Sequence, residues 1–315
     1  MLGKINDHIH KLVVPFPRGG SVNCFLLRGE KGYTLVDTGL YSPQAVQLWE
    51  DVLASGITIE QIVITHTHPD HIGMAGWLRN RLQVPVAMSR IGYETLQRMV
   101  QESQRLEQEG GEDQPHAFFA KHGGPHVPFA KMVSDMSALF VEPDMLFEDG
   151  QPIRIGSAMY QTVWTPGHAN DQFCFYSKED GCLIVGDHVL GEISPVILVN
   201  SDEDKNPLQD YFQSMERIID CDAELILAGH GEEIPNLRQR IAEIVHSHQV
   251  RMEQMLEILG EERMSAGELS RLVYQNPHGT GNVLAQFQTT LARLLYLESQ
   301  GKVSSQLQDG IVLWK

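Results

Sequence analysis

Ile62-Val63-Ile64-Thr65-His66-Thr67-His68-Pro69-Asp70-His71 is the stretch that decides how this chain reads. Its first four residues are apolar or β-branched, as in a short buried strand. Three histidines and an aspartate then fall within six residues. A tight loop leaving a strand can turn such neighbours towards one point. Imidazole suits zinc, iron and similar ions, and a carboxylate suits a harder ion beside them. The plain alternative is a solvated loop with coincidental histidines. It loses ground because the same residue types recur in the same kind of place. His168, Asp187 and His230 close the apolar runs QTVWTPGH, CLIVGD and LILAGH, and each directly follows a glycine. In β/α folds, functional groups gather at strand ends and in the loops beyond them.

Around the cluster, strands and helices alternate. Residues 22–27 and 33–36 read as a hairpin joined by 29–32, and 43–54 carries apolar residues at helical spacing. Ser42 is a good N-cap there, with Pro43 at the first helical position. Residues 73–82 read as helix and 84–88 as strand. Strands return at 153–155, 160–164, 173–176, 182–185 and 225–228, with an amphipathic helix at 208–219. Between about 90 and 145 the rhythm breaks. A polar helix over 93–108 precedes Gly110-Gly111 and the segment HAFFAKHGGPHVPFAKM. Loops of that length are usually functional or disordered, and Phe118, Phe119 and Phe129 argue for packing against something. Beyond Pro235 come a long helix at 237–259, two short helical patterns and a β-like pair at 302–304 and 310–313. This divides the chain into a domain over 1–235 and a linker helix with a small winged-helix-like domain over 236–315.

The 315 residues are 42% hydrophobic and 21% charged, ordinary for a soluble globular protein. The formal net charge is −17, and 236–315 carries eight basic and eight acidic residues, so the whole excess lies in 1–235. That balance disfavours nucleic acid phosphates and anionic membranes as partners. The N-terminus lacks the apolar run of a secretory signal, and no stretch approaches the roughly 20 apolar residues of a bilayer span. Cys24, Cys174, Cys182 and Cys221 form no C-x-x-C pair and read as buried free thiols, which suits the cytoplasm.

The order H-x-H-x-D-H, then His, then Asp, then His resembles the metallo-β-lactamase superfamily of hydrolases. Val36-Asp37-Thr38-Gly39, Thr165-Pro166-Gly167-His168 and Gly186-Asp187 agree with it. The resemblance covers residues 1–235 apart from the inserted segment. It implies an α/β fold, a four-layer αββα sandwich with two mixed sheets face to face, helices outside and metals at one edge. By position, His66, His68 and His168 would hold a first ion, Asp70, His71 and His230 a second, and Asp187 would bridge them. Asp37 matches a position where a carboxylate orients a ligand histidine; a turn-forming role is the alternative. The cofactors implied are two divalent metal ions, zinc foremost, with iron or manganese accepted by the same donors. A water or hydroxide between two such ions loses its proton near neutral pH and becomes the nucleophile, and Asp70 could orient it or shuttle its proton.

Leu227 through Asn236, the segment SVNCFL at 21–26 and the tail LARLLYLESQGKV resemble a branch with a C-terminal winged-helix domain. That branch includes the lactamase-β-like endoribonuclease, and glyoxalase II, a thioester hydrolase, shares the histidine set. The expectation is hydrolysis of a small ester, thioester or lactone, the alternative a phosphodiesterase or endoribonuclease using the same binuclear site. The insertion is expected to act as a lid, with His122 and His126 lining a substrate pocket and His188 touching the substrate. A small molecule is the expected partner, with the tail serving packing or a homodimer.

Overall fold

The computed structural model describes residues 2–109, 116–275 and 283–315; Gly110-Gly111 lies outside them. One sheet holds β1 (Leu2–Lys4), β2 (Ile9–Pro15), β3 (Ser21–Arg28), β4 (Tyr33–Val36), β5 (Ile59–Val63), β6 (Val86–Ser89) and β7 (Met145–Phe147), paired in that order. Pairing is antiparallel from β1 to β4 and parallel from β4 to β7. A second sheet runs β12-β11-β10-β9-β8, from β8 (Pro152–Ile155), β9 (Ala158–Trp164), β10 (Phe173–Ser177), β11 (Cys182–Gly186) and β12 (Leu225–Ala228). Here only β11 and β12 are parallel.

Successive strand residues point to opposite faces, so a continuous apolar run such as Cys24-Phe25-Leu26-Leu27 serves a strand covered on both sides. Phe25, Val36 and Val63 meet Phe173, Phe175, Ile184 and Leu227 between the sheets. On the outer face of the first sheet, Leu26, Leu35 and Ile62 pack with Trp49 of α1 (Pro43–Ala54). The short α2 (Pro69–Ile72) and α3 (Ala75–Leu82) contribute Ile72 and Leu78 to that layer. Ser42 accepts from the Ala45 amide as the N-cap of α1, as the sequence predicts. The chain is thus a mixed α/β fold in the layer order of the metallo-β-lactamase sandwich.

The insertion folds as α4 (Arg90–Glu109), α5 (Ala117–Lys121) and α6 (Phe129–Ser137). The outer face of the second sheet is covered by α7 (Pro207–Ile218) and α8 (Leu237–Leu259), through Leu208, Tyr211, Met215, Ile241 and Ile244. After α8 come β13 (Met264–Ser265), α9 (Ala266–Val273), α10 (Val283–Ser299), β14 (Ser305–Gln308) and β15 (Ile311–Trp314), the strands ordered β13-β15-β14. Phe287, Leu291 and Trp314 share one apolar cluster with Leu183 and Val185 of the second sheet.

The insertion packs on the C-terminal elements. Phe119 is buried edge-on to Phe287 of α10, with ring centroids 5.6 Å apart, and the His122 ring lies between Phe118 and Trp314. Gly267 of α9 donates its amide to the His122 carbonyl at 3.1 Å. His122 is thus committed to the C-terminal sheet, and His126 is exposed on the loop between α5 and α6. Neither side chain joins the histidine and aspartate clusters described below. The cysteines are free as expected, although Cys221 is only half-buried. Among the described residues, no helix is long and apolar enough to cross a membrane.

The junction of α8 and α10 buries charge. Arg293 donates through Nε to His248 Nδ1 at 3.3 Å and through Nη1 to Tyr274 Oη at 2.8 Å. Burial, with the Arg293 cation beside it, pushes His248 down to about 3 from an ordinary 6.5. Below pH 6.5 the unfolded chain takes up a proton that the folded chain refuses, so stability falls as the pH drops. The loss is roughly 1.4 kcal/mol per pH unit and levels off near the folded value. His248→Gln, which keeps an acceptor for Arg293, is expected to flatten the decline between pH 6 and pH 4. Urea unfolding across that range measures it, and an unchanged slope would contradict the assignment.

Candidate metal centre

The residues of the candidate centre come from carboxyl ends of strands. Asp37 follows β4, the 66–71 loop follows β5, His168 lies on the turn after β9, Asp187 follows β11 and His230 lies beyond β12. Pro69 at the first position of α2, with Asp70 in its first turn, opens a short helix that turns Asp70 and His71 together. The structure brings all seven expected ligands into two adjoining groups. His66, His68 and His168 form one; Asp70, His71, Asp187 and His230 form the other, with the donor atoms in each lying within 4.8 Å of one another.

In the first group, His66 Nε2 and His168 Nε2 each lie 3.0 Å from His68 Nδ1. His168 Nδ1 must donate to the Val196 carbonyl at 2.7 Å, which leaves its Nε2 as a lone pair. Thr65 Oγ1 donates to Asp37 Oδ2 and so receives the His66 Nδ1 proton at 3.0 Å, leaving another lone pair inside. One imidazole proton cannot satisfy three converging nitrogens, whereas a cation can. Burial, with the neighbouring His71 next in size, holds His66 well below its ordinary range, so it stays neutral and able to ligate. His68 is pushed down to about 3, by burial first and then by His168.

The second group has the complementary electrostatics. His71 donates Nδ1 to Asp37 Oδ2 at 2.8 Å and turns Nε2 towards Asp187 Oδ1 at 3.4 Å. Both facing atoms are buried without a hydrogen-bond partner. His230 Nδ1 donates to the Ser21 carbonyl at 2.5 Å, and its Nε2 lies 3.1 Å from Asp187 Oδ2 and 3.3 Å from Asp70 Oδ2. Burial alone would lower His230, but bonds to Asp187 and Asp70 outweigh it and raise it to about 10. Burial likewise works against His71, yet Asp187, Asp37 and Asp70 raise it well above its usual range. Protons on these rings therefore stand where a cation fits, and the acid-rich donor set suits a divalent ion. Asp187 Oδ2 is also 3.6 Å from His168 Nε2, so one carboxylate touches both groups.

Asp37 combines both readings made of it. Its φ of 59° lies in the left-handed region that Asp tolerates in turns, and its carboxylate accepts from the Thr65 amide and from His71. His188 is fully buried against Tyr211, with ring centroids 5.1 Å apart, and does not face an open cleft. The residues sequence reading missed act on the outer sides of the ligands. The Val196 and Ser21 carbonyls carry no side-chain signal. Asn23 and Asp171 do: they are polar residues within otherwise buried segments.

Gly229 is required by close approach. A Cβ there would lie 2.3 Å from Asp187 Oδ1 and 2.9 Å from His71 Cε1. Gly229→Ala is expected to cost about 1–3 kcal/mol as an overpacked site and to weaken metal binding. Thermal unfolding and metal analysis check this, and a variant with native metal content would refute it.

Comparison with known proteins agrees with this geometry. The family profile described as Metallo-beta-lactamase superfamily matches residues 17–230. The chain is 24% identical to the probable metallo-hydrolase YqjP of Bacillus subtilis, over 96% of each chain. It is 32% identical to the atrochrysone carboxyl ACP thioesterase of Aspergillus fumigatus over 108 residues, 34% of this chain and 32% of that protein. The crystal structure of a metallo-beta-lactamase family protein from Thermus thermophilus superposes with a TM-score of 0.82 at 28% identity, covering 98% of this chain and 99% of that one. With the family profile matching residues 17–230, which include both histidine groups, the chain belongs to the metallo-beta-lactamase superfamily.

Proposed function

We propose that this protein hydrolyses a small ester, thioester or lactone at a centre of two divalent ions, zinc foremost. His66, His68 and His168 would hold one ion, and Asp70, His71 and His230 the other. The observation that carries the two-ion reading is the reach of Asp187 to both groups, at 3.1 Å from His230 Nε2 and 3.6 Å from His168 Nε2. Two such ions, when bound, lower the pKa of water and polarise the scissile carbonyl. The side chains supply the rest. Asp70 is the most exposed carboxylate of the centre, and its carboxyl falls to about 2 because His71 and His230 outweigh burial. It stays ionised and is placed to orient an attacking water or take its proton. His230 and His68 border solvent beside it, so a carbonyl reaches the centre from that side.

The substrate class rests on two supports. A relative is named as an acyl carrier protein thioesterase. The charge of −17, all of it in residues 1–235, disfavours a phosphodiester polymer. We also read residues 236–315 as a winged-helix domain in a cytoplasmic protein, packed on the catalytic domain or serving a homodimer. The order α8-β13-α9-α10-β14-β15 supports that reading. Zinc-reconstituted protein assayed against esters, thioesters, lactones and single-stranded RNA tests the function. Thioester or ester turnover that a chelator abolishes is expected. RNA cleavage without acyl turnover would replace it with the phosphodiesterase reading.

A further inference from the structure

The ligands stand on two sheets that share no strand pairing, so something must hold the sheet edges in register across the centre. Asn23 lies on β3 of the first sheet and is 4% exposed. Its Nδ2 donates to the Ala228 carbonyl at 2.9 Å and to the Gly231 carbonyl at 2.8 Å, and its backbone amide donates to Gly229 at 2.7 Å. Those three carbonyls bracket His230, which belongs to the second sheet's loop. Asp171 is the mirror case. It sits on the β9–β10 turn of the second sheet, three residues after His168, and is equally buried. Its Oδ2 accepts the Thr67 amide at 2.8 Å, between His66 and His68 of the first sheet. Gly92 at the start of α4 leaves room for this bond, because a Cβ there would lie 2.9 Å from Asp171 Oδ2.

We infer that Asn23 and Asp171 are reciprocal positioning residues, each set on one sheet and fixing the ligand loop of the other, so that each controls the affinity of one ion. Asn23 governs the Asp70, His71, Asp187 and His230 group, and Asp171 governs the His66, His68 and His168 group. The chemistry restricts the residue type at 23 more than at 171. Asn23 must donate twice to carbonyl oxygens, which an aspartate cannot do. Asp171 must accept from an amide, which an asparagine can do. The inference rests on the two-ion reading above.

The test uses the full-length chain loaded with zinc. Zinc affinity is measured by competition with a chromophoric chelator, and the occupancy of each position by anomalous scattering at the zinc edge. Asn23→Asp is expected to weaken the ion of the Asp70 group by roughly 10–100-fold and leave the other position filled. Asp171→Ala is expected to do the reverse, and Asp171→Asn to stay near wild type. A merely structural role would not divide the two ions between two variants. Equal loss of both ions in both variants, or loss in neither, overturns the inference. Wild type that holds fewer than two ions would instead sink the two-ion reading beneath it. If Asn23→Asp does not fold, Asn23→Ser, too short to span both carbonyls, carries the same expectation.

Discussion

Asp187→Ala is expected to lower kcat/KM at least roughly 1,000-fold and to empty both ion positions. The Asp187 carboxylate reaches ligands of both groups. Its Oδ1 faces His71 Nε2 at 3.4 Å, while its Oδ2 faces His230 and His168. Its charge is also a main reason that His71 and His230 are raised. Without it the second group keeps a single inward carboxylate, Asp70, and the first loses the carboxylate that reaches it from the second. Asp187→Asn separates the two contributions, because it keeps the volume and loses the charge. Metal analysis and steady-state hydrolysis on both variants measure this. Substantial activity in the alanine variant would mean that the centre does not depend on a shared carboxylate.

The second large effect is expected at Asp37, which approaches the ions only through other residues. Its carboxylate holds the Thr65 amide at 2.9 Å, the Thr65 hydroxyl at 2.8 Å and His71 Nδ1 at 2.8 Å. It therefore aims His71 directly and His66 through Thr65. Asp37→Asn preserves the left-handed backbone, which asparagine tolerates, but weakens the charge-assisted bond to His71. Metal affinity is expected to fall roughly 10–100-fold with the fold intact. Asp37→Ala should be worse, since it also strands the buried Thr65 amide, at about 1–3 kcal/mol. Chelator competition with thermal unfolding distinguishes the two variants. An alanine variant with native affinity would reduce Asp37 to a turn residue.

The centre was legible because its chemistry is local. His66 to His71 occupy one loop, and His168, Asp187 and His230 each end an apolar run, so residue type and strand-end position coincide. Helices α1 and α8 were legible for the same reason: Ser42-Pro43 marks one start, and 237–259 keeps its apolar spacing to the end. What escaped depends on distant partners. Strand β2 reads poorly because His10 and Lys11 interrupt its apolar residues, and only pairing with β3 makes it a strand. His122 and the Phe residues beside it have the composition of a pocket lining, yet α10 and β15, more than 160 residues onward, supply their packing partners. The carbonyls of Ser21 and Val196 orient two ligands and leave no trace in side-chain chemistry.

The most direct measurement is a zinc titration of the metal-free protein with thioester hydrolysis followed at each addition. Binding should saturate at two equivalents per chain, with full turnover reached only as the second is taken up. Saturation at one equivalent, or turnover indifferent to zinc, would contradict a centre that holds two ions around Asp187.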